Sequence, residues 1–151
     1  MPNQNIKKLK KPSTDHIQKI INTFSRGQKN DAISKIEELI KDYPLEPLLL
    51  NISGSFHHSD GQLNTAIIRF KKALKLNSNY PEAHYNLGVT LRDLGHTKEA
   101  ITSYKNALSK KNEYPDAHYN LGNAFFSLKK FDAAIEHFES AVFFNPKHYQ
   151  A

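Results

Sequence analysis

The sequence predicts an all-α solenoid of four helix-turn-helix hairpins, on three observations. The segment Pro81-Glu82-Ala83-His84-Tyr85-Asn86-Leu87-Gly88 returns as Pro115-Asp116-Ala117-His118-Tyr119-Asn120-Leu121-Gly122, matching at seven of eight residues with an offset of 34. The same offset links Ala32, Ala66, Ala100 and Ala134, then Ile36, Phe70, Tyr104 and Phe138, then Leu39, Ala73, Ala107 and Ala141. Within a unit, apolar residues recur at helical spacing in two stretches, as in Leu87, Leu91 and Leu94, then Ala100, Ile101, Tyr104, Ala107 and Leu108.

Four units follow, over 13–46, 47–80, 81–114 and 115–148. A basic tail, expected to be disordered, occupies 1–12, and 149–151 reads as the start of a truncated further unit. The spacing predicts helices over 14–26, 29–41, 47–60, 63–75, 81–94, 97–109, 115–128 and 131–144, with no strand. Pro81 and Pro115 suit the first turn of a helix, where a missing N–H costs nothing. Gly27, Gly61 and Gly95 fall between paired helices, where a chain reversal needs left-handed backbone. Gly54, Gly88 and Gly122 lie in register on the first helix, and the alanine series lies on the second. Small residues at a crossing let two backbones approach to ~8–10 Å. A larger side chain at Ala100 or Ala134 should overpack that contact by ~1–3 kcal/mol. Unit one carries Ile20 where the glycine belongs, so its helices are expected to sit slightly farther apart. One hairpin cannot bury its apolar face alone, but stacked hairpins share a continuous core.

Composition narrows the function. Hydrophobic residues make up 38% and charged residues 24%, polar for a globular chain, but the regular apolar spacing rules out disorder of the body. No apolar run approaches ~18 residues, which excludes a transmembrane helix. The basic N-terminus is not followed by an apolar segment, so no secretory signal is expected. Cysteine is absent, which excludes disulfides, thiolate zinc sites and cysteine nucleophiles and fits a reducing, cytoplasmic setting. Of the net charge of +6, Lys7, Lys8, Lys10 and Lys11 supply +4, which leaves +2 on the remaining 139 residues. The body is mixed in charge, and four lysines without interleaved aromatics are too few for specific nucleic-acid recognition.

These features resemble the tetratricopeptide repeat family over residues 13–148. Counting from each unit's first residue, the family's small residue at place 8 matches Gly54, Gly88 and Gly122. Its Ala at place 20 matches Ala32, Ala66, Ala100 and Ala134, and its aromatic at place 24 matches Phe70, Tyr104 and Phe138. Its Pro at place 32 matches Pro44 and Pro146, while Ser78 and Asn112 depart. The aromatic expected at place 4 is replaced by His16, Leu50, His84 and His118. The resemblance implies a right-handed superhelix whose first helices line a concave groove. It puts Ile17, Gln18 and Phe24 of unit one and Asn51, Ile52 and His58 of unit two on that groove. From units three and four it adds Tyr85, Asn86, Arg92 and Asp93, then Tyr119, Asn120, Asn123 and Phe126. Asn86 and Asn120 resemble the asparagine ladder in the repeat region of O-linked N-acetylglucosamine transferase, which Gln18 and Ile52 interrupt. An Asn amide can bond the backbone of an extended peptide whatever its sequence, and Tyr adds apolar area at low rotamer cost. The lysines and arginines with which some family members clamp a C-terminal carboxylate are replaced by Glu82, Tyr85, Asp116 and Tyr119, which excludes that mode.

Catalytic and metal readings find little support. His57 and His58 are adjacent and point about 100° apart on a helix, while His16, His84 and His118 share one place in successive units and read as packing residues. There is no HExxH motif, phosphate loop or nucleophile elbow, and the carboxylates have helix-surface spacing. The expectation is therefore a non-catalytic, cofactor-free and metal-free scaffold for a protein or extended peptide. Its groove residues would be Asn51, Tyr85, Asn86, Arg92, Tyr119, Asn120, Asn123 and Phe126. One alternative is the recruitment segment of a longer bacterial enzyme, since similar arrays precede glycosyltransferase- or sulfotransferase-like domains. The other is a self-assembly module. The last helix ends in Ala141-Val142-Phe143-Phe144, with Phe143 where earlier units carry Lys41, Lys75 and Ser109. The expectation is therefore that the protein continues past residue 151 and covers this surface, or that Phe143 and Phe144 drive self-association, residues 145–151 folding back as a partial cap being the alternative.

Overall fold

The computed structural model describes residues 11–147. The expected tail up to Lys10 and the start of a further unit at 149–151 lie outside the described residues. Among the described residues eight helices form four antiparallel hairpins: α1 Thr14–Ser25 with α2 Lys29–Asp42, α3 Pro47–Ser59 with α4 Leu63–Leu76, α5 Pro81–Asp93 with α6 Thr97–Lys110, and α7 Pro115–Ser127 with α8 Phe131–Phe144. Each boundary falls within one residue of the sequence expectation, and the described residues contain no strand. Each second helix packs on the first helix of the next hairpin, with direct contacts also from α3 to α5 and from α5 to α7. Among the described residues no helix is long and apolar enough to cross a membrane.

Local chemistry accounts for the helix ends. The Ser13 hydroxyl accepts from the His16 N–H at the start of α1, and Pro47, Pro81 and Pro115 open α3, α5 and α7. The three inter-helix turns at Gly27, Gly61 and Gly95 have φ of 85°, 78° and 80°. The fourth turn puts Lys129 at φ 58°, a conformation a side chain adopts at a cost of roughly 1 kcal/mol.

The crossings show why small residues recur. A Cβ on Gly54 would lie 2.5 Å from the Phe70 ring, one on Gly88 2.6 Å from Tyr104, and one on Gly122 2.7 Å from Phe138. The aromatic of each second helix thus lies flat on the glycine of the first. In hairpin 1 that pair is Ile20 with Ile36, both buried, so two medium side chains replace the glycine and ring. The core runs as two clusters. One joins α1–α3 to Ala73 and Ala83, and the other runs from Ala66 and Phe70 to Phe125 and Ala134. His84 and His118 each bond through Nε2 to a carbonyl of the preceding loop, Ser78 and Asn112, at 3.0 Å. The repeated histidine therefore fastens each helix to the turn that delivers it.

Candidate functional site

The first helices carry the expected groove residues on one face, and hydrogen bonds running between neighbouring hairpins organise them. Asn86 Nδ2 donates to Asn51 Oδ1 at 3.1 Å, joining α5 to α3. Asn120 Nδ2 donates to the Tyr85 hydroxyl at 3.0 Å, joining α7 to α5. Arg92 Nη1 donates to Asn120 Oδ1 at 2.6 Å, while Arg92 Nε and Nη2 hold Asp93 Oδ1 at 3.0 and 2.8 Å. Asp93 Oδ2 in turn meets His58 Nε2 at 2.8 Å. A polar chain therefore crosses three hairpins, from His58 through Asp93, Arg92 and Asn120 to Tyr85.

The electrostatics follow from this chain. Burial pushes the Asp93 carboxyl up, but hydrogen bonds from Arg92 and His58 outweigh it and hold the group below the usual carboxylate range. Burial, with the nearby Asp116 charge, raises the Tyr85 phenol, so it stays protonated and can donate. Tyr85 also packs on Tyr104 and Tyr114, with ring centroids 6.0 and 5.0 Å away.

The structure thus brings Asn51, Tyr85, Asn86, Arg92 and Asn120 together, in bonds of the array itself. Asn51 and Asn120 are buried, so they are less open to a ligand than the sequence expectation had them, and Asn86 is half-buried. Tyr119, Asn123 and Phe126 lie on α7 at spacings of four and three, so they share one side of that helix. Tyr119 is 42% exposed and Phe126 59%. Tyr119 leans on Phe138 and Phe126 meets Phe131 edge-on, with centroids 5.7 and 5.4 Å apart. Phe131 is an exposed member of this ledge that the sequence reading missed, because it sits on the second helix. In hairpins 1 and 2, Ile17, Ile21, Leu48 and Ile52 line a hollow of roughly 400 Å³ together with Lys11, Thr14, Gln18 and Glu46.

Phe143 and Phe144 are separated by the structure. Phe143 is 79% exposed, whereas Phe144 turns inward and stacks on His118 at 5.7 Å. Among the described residues no three or more His, Asp or Glu side chains converge as metal ligands would. His57 and His58 diverge: His57 is buried against Glu37 and Gln62, while His58 reaches Asp93. The signal for the groove bonds was a spacing of 35, one more than the repeat, which links Asn51 to Asn86, His58 to Asp93 and Tyr85 to Asn120.

Solved structures with the same architecture include one described as the crystal structure of MamA. It is 24% identical, with a TM-score of 0.80 over 89% of this chain and 79% of that one. MamA 41-end from Desulfovibrio magneticus RS-1 is also 24% identical, with a TM-score of 0.77 over 89% and 78%. A third, MamA MSR-1 C2, is 20% identical with a TM-score of 0.74 over 91% and 82%. At these identities the likeness concerns the fold. No curated protein sequence matches the chain. The TPR repeat profile matches residues 54–95 and 90–129 and the tetratricopeptide repeat profile matches 115–148, so the chain belongs to the tetratricopeptide repeat family.

Proposed function

We propose that this chain is a non-catalytic scaffold whose groove binds an extended peptide or a protein segment. One observation carries the reading: exposed aromatic side chains, Tyr119 and Phe126, stand on a rigid frame whose polar groups are already bonded to one another. A preorganised frame loses little entropy on binding, and aromatics in a concave setting dominate interface energies. The hollow near Ile21 and Ile52, where apolar side chains stand beside Lys11 and Glu46, would take a second anchor. Asn86 and Asn123, both half-buried, would meet the ligand backbone between them. The cysteine-free composition supports a cytoplasmic setting for this work.

The test uses a partner captured by the intact chain and confirmed by a binding isotherm. Phe126→Ala should weaken that isotherm by ~1–2 kcal/mol with little change in melting temperature, because the ring lies outside the core. Affinity unchanged in both Phe126→Ala and Asn123→Ala would reject the groove.

A second contact surface is favoured by the exposure of α8. Phe143 occupies a place that is polar and exposed in the other hairpins, at Lys41, Lys75 and Ser109, and its ring meets Phe144 edge-on while staying 79% exposed. Self-association through this surface is one form such a contact would take. Sedimentation of the native chain beside Phe143→Lys and Phe144→Ser measures it. Because Phe144 packs on His118, only the Phe143 substitution should leave the fold untouched.

A further inference from the structure

Two buried side-chain atoms meet no hydrogen-bond partner among the described residues, Arg69 Nε and the Tyr104 hydroxyl. Arg69 is still held at Glu37 through Nη2, whereas the hydroxyl is the whole polar capacity of the Tyr104 side chain, which is fully buried. Packing does not call for this hydroxyl. The same place holds Phe70 in hairpin 2 and Phe138 in hairpin 4, and each ring lies on its glycine as Tyr104 lies on Gly88. A desolvated hydroxyl without a partner lowers the stability of the free chain, so its presence asks for a role outside packing.

The preceding hairpin shows what surrounds such a ring. Phe70 lines a hollow of about 130 Å³ between α3 and α5, together with His58 and Asn86. One repeat on, these places hold Tyr104, Arg92 and Asn120. Burial raises the Tyr104 phenol above its ordinary value, with Arg92 opposing and Tyr85 and Asp93 adding to the shift, so these groups lie around the hydroxyl. Arg92 Nε and Nη2 hold Asp93 on the same helix, and the one bond that ties the guanidinium across to α7 runs from Nη1 to Asn120 Oδ1. The Arg92 side chain is 39% exposed, so it can turn outward. A ligand that displaced it would find an acceptor at Asn120 and a donor at Tyr104. Asp93 already offsets the Arg92 charge and Asp116 stands near Tyr85, which disfavours a ligand carboxylate. An aliphatic side chain would leave both groups unpaired. A primary amide supplies an acceptor and a donor on separate atoms without charge.

We propose that the groove takes an Asn or Gln side chain of its peptide ligand between hairpins 3 and 4. The Tyr104 hydroxyl donates to the amide oxygen, and the amide nitrogen donates to Asn120 Oδ1 in place of Arg92 Nη1. The proposal rests on the groove reading and names one side chain that the groove would hold.

The probes are peptides selected on the intact chain from a random display library, then synthesised and titrated by fluorescence anisotropy. The selected peptides should share an Asn or Gln, and replacing it with Leu should weaken binding about tenfold. Tyr104→Phe should erase that preference, weakening the amide peptide about tenfold and leaving the leucine peptide unchanged. Because Phe serves at this place in two other hairpins, the variant should melt no lower than the native chain. A lower melting temperature would mean that the hydroxyl already has a partner in the free chain, and would overturn the proposal. So would an amide preference that survives Tyr104→Phe, or a shared position filled by another residue type or by none. In those cases, binding that is still lost in Phe126→Ala leaves the groove reading standing. If no peptide is selected, or if the selected peptides are indifferent to both Phe126→Ala and Asn123→Ala, both readings fall.

Discussion

Where hairpin 2 packs on hairpin 1, the arriving helix brings Ser53 and His57 against Glu37, with Arg69 closing the cluster from α4. Where hairpin 4 packs on hairpin 3, the same two places hold Leu121 and Phe125, both buried, with Lys105 over the Phe125 ring. Both junctions pack a second helix on the first helix of the next unit, so the repeat spacing does not require an apolar filling. The polar junction holds only if every member is present, because a desolvated donor left without its acceptor loses water and gains nothing. The apolar junction depends on volume alone and is sensitive to cavities.

The largest way to break the contrast is Leu121→Ala at the apolar junction. The side chain is fully buried, and the substitution should cost ~2–5 kcal/mol in chemical denaturation. Glu37→Ala at the polar junction should cost less, about 1–3 kcal/mol, since its carboxylate is a quarter exposed and solvent screens part of the loss. Replacing the set together, as Glu37→Leu with Ser53→Leu, His57→Leu and Arg69→Leu, should recover most of that loss. If the fourfold variant is less stable than Glu37→Ala alone, the two junctions are not interchangeable fillings of one geometry.

A smaller test separates the hairpin turns. Lys129 adopts the left-handed backbone that glycine supplies in the other three, so Lys129→Gly should raise stability by up to ~1 kcal/mol, whereas Gly95→Lys should lower it by a similar amount. Hydrogen exchange on α7 and α8 would localise the gain.

The subtlest difference is in pH response. His118 Nε2 faces the Asn112 carbonyl, which can only accept, so the neutral ring offers Nδ1 as acceptor to His137 Nδ1, 3.2 Å away. Burial, then the neighbouring His118, pushes the His137 imidazole below its ordinary value, with Glu136 opposing and Lys105 adding to the shift. A lowered folded value means the unfolded chain binds the proton more readily. The stabilisation is therefore complete above about pH 6.5 and is lost as pH falls through the lowered value. Hairpin 4 should loosen first on acidification, and His137→Phe should flatten that limb of the stability curve. An unchanged limb in the variant would assign the acid response elsewhere.

Much of the molecule was legible before any coordinates. The helix boundaries, the glycine turns and the small-residue crossings are consequences of residues within one unit, so an offset of 34 was enough to place them. Backbone hydrogen bonds and a 3.6-residue period are local properties, and the chain writes them locally. Partner choice among polar side chains was decided only when the units stacked. Asn51 and Asn120 are of the residue types a peptide groove wants, yet they are drawn into bonds with Asn86, Tyr85 and Arg92 of the neighbouring hairpin. The same holds for Ser53 and His57, ordinary surface types turned inward by one glutamate of the hairpin before, and for Phe144, turned in by His118. A side chain's donors and acceptors say what it can bond. Which bond forms depends on the group that tertiary packing sets within about 3 Å of it, and the periodicity of a single unit does not encode that distance.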